Sequence, residues 1–147
     1  MNDATDPQSL EGKCLCGAVT IRAEPSQPHI EVCHCVMCRR WGGSASLGVQ
    51  CGENVSFSGE EHITRFTSSE WAERGFCNTC GSNLFYHFTP SGGYSFAAGL
   101  FDDLHGITMG EQIFVDEKPD YYDFAQETPM KTGAEVIAAA KEAGLEF

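Results

Sequence analysis

Apolar and polar positions alternate along this chain in short runs, and that period of two predicts a protein built mainly from β-strands. Over residues 13–22, Leu15, Val19 and Ile21 fall on one face and Cys14, Cys16, Ala18 and Thr20 on the other. Pro25-Ser26-Gln27-Pro28 interrupts the pattern, after which Ile30 and Val32 alternate with Glu31 and Cys33. Strands are predicted next at 44–50, 54–58 and 62–67, separated by turn signals around Gly52 and Gly59. Residues 71–76, 83–88 and 94–98 read the same way, the last two joined by the hairpin composition Pro90-Ser91-Gly92-Gly93. Residues 100–110 are irregular, and 112–115 make a short apolar strand before the polar turn Asp116-Glu117-Lys118-Pro119. Helical spacing is confined to 133–143, where Val136, Ile137 and Ala140 share a face and Gly144 suits the stop. Residues 1–11 have no periodicity and are expected to form a flexible tail; 12–147, without an internal linker, are expected to form one domain.

Composition narrows the functions open to such a fold. A chain of 147 residues can bury roughly 70% of the surface it exposes unfolded, so it does not need crosslinks to fold. Nine Lys and Arg stand against 21 Asp and Glu, a net charge of -12, so the overall field repels nucleic acid and anionic membrane surfaces. Neither partner is expected. The first residues, Met1-Asn2-Asp3-Ala4-Thr5-Asp6-Pro7, have no basic and apolar leader pattern, and no apolar run reaches membrane-spanning length. A cytoplasmic location follows as the expectation, and there eight closely spaced cysteines point to metal ligands or reactive thiols rather than disulfides.

The densest chemistry lies in Cys33-His34-Cys35-Val36-Met37-Cys38, with Arg39 and Arg40 behind it. If the stretch enters as a strand, Cys33 and Cys35 share a face, and a tight knuckle returns Cys38 to it. Three thiolates then converge on one metal. Catalytic zinc sites keep three protein ligands and an open fourth position, whereas structural sites are closed by four. Cys14, Cys16, Cys77 and Cys80 make one complete tetrahedral set, and four plus three is the simplest partition. Spacing equally permits Cys33 and Cys35 to pair with Cys77 and Cys80. Arg39 is placed to meet an anionic substrate or to offset thiolate charge. His34, on the opposite strand face, reads as a packed or solvated side chain, Cys51 as core, and His29, His62, His87 and His105 lack partners at metal spacing. Trp41, Phe101, Tyr121 and Tyr122 are aromatic candidates for a pocket wall, with core packing as the default reading.

The stretches Gly12-Lys13-Cys14-Leu15-Cys16-Gly17, Cys33-His34-Cys35-Val36-Met37-Cys38-Arg39 and Phe76-Cys77-Asn78-Thr79-Cys80-Gly81-Ser82-Asn83-Leu84 resemble the glutathione-dependent formaldehyde-activating enzyme (GFA) family, which includes centromere protein V. The resemblance extends through Ala97-Ala98-Gly99-Leu100-Phe101-Asp102 and Ile113-Phe114-Val115-Asp116-Glu117-Lys118-Pro119. It implies a β-tent fold of short antiparallel sheets with zinc-ribbon-like knuckles. It also implies a structural zinc on Cys14, Cys16, Cys77 and Cys80 and a catalytic zinc on Cys33, Cys35 and Cys38. The reaction it implies is that of a carbon-sulfur lyase acting on a small thiol, glutathione first, and an aldehyde such as formaldehyde, through S-hydroxymethylglutathione. Two other readings stand beside it. One is a zinc-stabilised binding module like centromere protein V, which the absence of a basic tail disfavours. The other is a B-type methionine sulfoxide reductase, which would need a cysteine after Cys80, and there is none.

Overall fold

The computed structural model describes residues 9–145. They form nine strands and two α-helices: β1 Leu10–Lys13, β2 Thr20–Cys33, α1 Val36–Gly42, β3 Ser46–Ser58, β4 Ile63–Ser69, β5 Ala72–Cys77, β6 Asn83–Phe88, β7 Gly93–Ala97, β8 Thr108–Ile113, β9 Met130–Lys131 and α2 Gly133–Glu142. The mainly β class predicted from the alternation is what the structure has, with the short C-terminal helix in place. Thr132 starts α2 with a reciprocal capping box to Glu135, and Gly144 follows it in the left-handed conformation (φ 85°).

The strands hydrogen-bond as one connected sheet in the order β4-β5-β6-β7-β3-β2-β8-β9, with β1 also paired to β2. The two longest strands, β2 and β3, are its axis. They pair antiparallel on both sides of an irregularity, Thr20 to Ala23 facing Ser58 to Val55, and Ile30 to Cys33 facing Val49 to Ser46. The register shifts around Pro25-Ser26-Gln27-Pro28, where prolines cannot donate to the ladder. Gly52 therefore does not end a strand as its turn chemistry predicts; β3 runs through it because β2 offers a partner on either side. Pairing also departs from all-antiparallel sheets, since β2–β8 and β8–β9 are parallel.

Three local readings are corrected. Leu10 and Glu11 belong to β1 rather than to a tail, and Leu10 is almost fully buried; residues 1–8 of that expectation lie outside the described residues. Cys14 to Gly17 is a turn between β1 and β2, not strand, and it leaves Leu15 89% exposed. Residues 36–42 are α1, so the strand into the first cysteine motif stops at Cys33.

The core lies on the β1-β2-β3-β6-β7 side. Val19, Ile21, Val49, Leu84 and Phe96 are buried there, and Phe96 sits 5.7–6.1 Å between ring centroids from Phe57, Phe85, Tyr94 and Phe101. Burying such a ring contributes about 1.5–3 kcal/mol. Gly75 on β5 faces Phe85 on β6, where a Cβ would come within 2.3 Å of the ring, so the absence of a side chain lets the aromatic lie across the strand.

Candidate functional site

Local geometry sorts seven of the eight cysteines into two groups. In each, the sulfurs lie within 4.8 Å of one another and could hold a metal ion: Cys14, Cys16, Cys77 and Cys80 in one, and Cys33, Cys35 and Cys38 in the other. The structure thus brings the residues together as four and three, not as Cys33 and Cys35 with Cys77 and Cys80.

The group of four joins two knuckles. In the first, Cys14 N–H donates to Val19 O (3.1 Å), while Gly17 N–H donates to Cys14 O and Val19 N–H to Cys14 Sγ (3.4 Å). In the second, Cys77 ends β5, and Gly81, at φ 79°, returns its N–H to Cys77 O (2.7 Å). Ser82 Oγ clasps the two knuckles, accepting from Leu15 N–H (3.0 Å) and donating to Cys80 Sγ (3.2 Å). That hydroxyl and the Ser82 backbone bring the Cys80 thiol down to about 5, the form a metal requires. Sulfur separations of 3.6 Å for Cys14–Cys16 and 3.8 Å for Cys16–Cys77 match the spacing of about 3.8 Å set by a tetrahedron with metal–sulfur bonds near 2.3 Å.

The group of three sits where β2 meets α1. Cys33 closes β2 between Ser46 of β3 and Ile113 of β8. Cys35 is the N-cap of α1, its Sγ accepting from Cys38 N–H (3.3 Å), and Glu117 Oε1 accepts from Val36 N–H (3.0 Å). Gly43, at φ 91°, ends the helix after two turns. Cys38 is buried, whereas Cys33 and Cys35 are half-buried, so the cluster has an accessible side. The three thiols titrate together. Hydrogen bonds from Cys33 and Cys35 hold the Cys38 thiol well below its ordinary range, and contacts with Cys35 and Cys38 push Cys33 up.

His34 is no ligand. It is fully buried, and both ring nitrogens are used: Nε2 with Gln112 Oε1 (2.9 Å) and Nδ1 with Tyr122 Oη (2.7 Å). Because the Gln112 amide donates to Thr128 Oγ1 (3.3 Å), its oxygen accepts from Nε2–H, which leaves Nδ1 to accept from the phenol. Tyr122, stacked on His34 at 5.5 Å, is thereby drawn to the cluster, while Tyr121 is 71% exposed. Arg39 gives its Nε–H to His34 O (3.0 Å), which holds its side chain beside the site, and Arg40 is exposed. Phe101 packs in the core against Phe96.

Arg74 lies outside every motif of the sequence. It is 4% exposed, and both terminal nitrogens point at Cys38 Sγ (3.8 and 3.9 Å). The ring of Tyr86 lies 4.9 Å from its guanidinium carbon and that of Trp41 5.9 Å. A signal was available: Ala72, Arg74 and Phe76 share a strand face, so the period of two places a cation among apolar positions, which is unusual unless it is paired.

Comparison with known proteins agrees with this architecture. The family described as glutathione-dependent formaldehyde-activating enzyme, GFA, matches residues 9–117. A Schizosaccharomyces pombe protein named "Uncharacterized lyase C29B12.13" is 39% identical over 128 residues, 86% of this chain and 93% of that protein. The chain belongs to the GFA family. The crystal structure of a Rhodobacter sphaeroides protein superposes with a TM-score of 0.57, covering 68% of this chain and 99% of that one; at 23% identity it speaks for the fold alone.

Proposed function

We propose that this chain is a zinc-dependent lyase of the carbon-sulfur class, which joins a small thiol to an aldehyde or cleaves the adduct, with S-hydroxymethylglutathione as its substrate in the cleavage direction. The observation that carries this reading is the group Cys33, Cys35 and Cys38: three sulfurs within 4.8 Å, two of them half-exposed, in a GFA chain. Three donors leave tetrahedral zinc one position for a substrate atom, while the closed set Cys14, Cys16, Cys77 and Cys80 serves the fold. The donor chemistry fits, because all seven candidate ligands are sulfur and two separations in the group of four, 3.6 and 3.8 Å, match those of a tetrahedral site.

Bound at the group of three, zinc would supply Lewis acidity and favour the thiolate form of a nearby thiol. The chain's own residues do the rest. Arg39, with its Nε committed to His34 O, keeps its terminal N–H groups for a carboxylate of glutathione. Tyr122, fixed by His34, walls the same side. The reaction balances without an oxidant: the sulfur–carbon bond forms as the carbonyl double bond opens, and the thiol proton ends on the carbonyl oxygen. The reverse path returns thiol and aldehyde.

Magnetisation-exchange NMR on an equilibrated mixture of glutathione and formaldehyde tests this directly. Exchange between free thiol and adduct is expected to quicken in proportion to added protein and to lose that acceleration with Cys33→Ser. An unchanged exchange rate with fully metallated protein removes this thiol–aldehyde pair as the substrate.

A further inference from the structure

The geometry points to Arg74 as the residue that balances the charge of the three-cysteine metal centre and so admits an anionic fourth ligand, an inference that rests on the reading of that centre as a zinc site. Among the described residues, Arg74 is the Lys or Arg side chain buried to this depth, and no carboxylate lies within ion-pair distance of it. Taking a guanidinium out of water costs several kcal/mol unless a partner compensates. The polar partner here is sulfur: both terminal nitrogens converge on Cys38 Sγ at 3.8 and 3.9 Å. The faces of Tyr86 and Trp41 supply the remaining compensation by cation–π attraction. Such a forked contact orients the cation on the sulfur as an ammonium could not.

Charge arithmetic gives the contact its consequence. Three thiolates on a divalent ion carry a formal charge of about −1, and a further thiolate would be repelled at short range in a low-dielectric site. With Arg74 included the unit is neutral before the fourth ligand arrives. Arg74 also sits on β5 three residues before Cys77, so the strand that ends in the four-cysteine group holds the guanidinium against Cys38. Arg39 and Arg74 have different tasks: the first is half-buried and bonded to His34 O, and the second is enclosed against Cys38 Sγ. Arg74 acts through Cys38 and is a positioning residue, not a catalytic one.

Chelator competition on zinc-loaded wild type, Arg74→Met, Arg74→Gln and Arg74→Lys measures the first consequence. Wild type is expected to release two zinc ions per chain, and the two neutral variants are expected to bind the more labile ion about 10–100-fold more weakly. The tighter ion should be unaffected, which serves as an internal control for folding, and lysine should recover part of the loss. If Arg74→Met fails to fold, Arg74→Gln supplies the comparison. A second measurement isolates charge: with cobalt(II) in place of zinc, the absorption bands report binding of 2-mercaptoethanol, which arrives as a thiolate, and of neutral imidazole. Arg74→Met is expected to weaken the thiolate about tenfold and leave imidazole unchanged. Equal zinc affinity in all four proteins, or equal changes for the two cobalt ligands, overturns the inference and leaves the zinc site standing. Release of a single zinc ion by wild type overturns both.

Discussion

Cys51 isolates what burial alone does to a thiol in this chain. It lies on β3 opposite Pro25 and Tyr94, is 2% exposed, and belongs to neither sulfur group. Loss of solvent raises its pKa to about 12. A raised pKa favours the neutral thiol, so between pH 7 and 9 almost no thiolate forms at Cys51 and the nucleophilic form is missing. Iodoacetamide applied to the native protein at pH 8 is expected to leave Cys51 unmodified, whereas the denatured chain should take it up readily; peptide mass spectrometry distinguishes the two. Alkylation of native Cys51 would mean that β3 opens far more readily than its packing allows. The packed role of Cys51 was legible because one thiol in a strand, at no metal spacing, has nothing else to do. The sulfur groups were legible for the opposite reason, since Cys-x-Cys and Cys-x-x-Cys hold donors together whatever the fold does around them. The strand face signalled the burial of Arg74 but not its partner, because Cys38 lies 36 positions away and the two meet through tertiary packing, which no local pattern reveals.

At the scale of elements, β5 does the most for the site. It carries Arg74 to one sulfur group and ends in Cys77 of the other, with Gly75 between them admitting Phe85. The four-cysteine group ties the β1–β2 turn to the end of β5 across 61 positions from Cys16 to Cys77, so a metal bound there would contribute folding free energy. The three-cysteine group closes only a short stretch between β2 and α1, both of which have other partners. Substitutions should therefore separate. Cys33→Ser is expected to lower bound metal from two ions to one and leave the thermal midpoint within a few degrees of wild type. Cys77→Ser should lose the tighter ion and depress the midpoint steeply, by roughly 10 °C or more for a loss of several kcal/mol. Metal analysis with thermal denaturation checks both, and an unfolded Cys33→Ser would reverse the division of labour. Strand alternation foretold β6 and β7, and helical spacing α2, each to within a residue or two, but neither pattern showed α1. A helix of seven residues has too few turns to show a period, and its N-cap is a cysteine, not the Ser, Thr, Asp or Asn that marks a start. Parallel pairing of β8 with β2 was also invisible, because alternation identifies a strand's faces and says nothing about its neighbour.

For the whole molecule, the governing quantity is charge. A net charge of -12 surrounds a site proposed to take glutathione, which is itself anionic at neutral pH. Arg39 and Arg74 act over a few ångströms, inside the Debye length of about 8 Å at physiological salt, whereas the remaining acidic surface acts from further away and is screened first. The two contributions have opposite signs, and salt separates them by range. If the global field limits encounter, raising ionic strength from low to physiological values removes repulsion and leaves the local attraction largely intact. The second-order rate constant for glutathione is therefore expected to rise with salt, by a few-fold, and then flatten as the Debye length falls to the dimensions of the site. 2-Mercaptoethanol, a thiol without charge at neutral pH, should show little dependence over the same range. Rate measurements with both thiols at constant pH between 10 mM and 300 mM sodium chloride make the comparison. A rate for glutathione that falls steadily with salt would mean that the arginines dominate even at long range, and that the acidic surface is turned away from the path of approach.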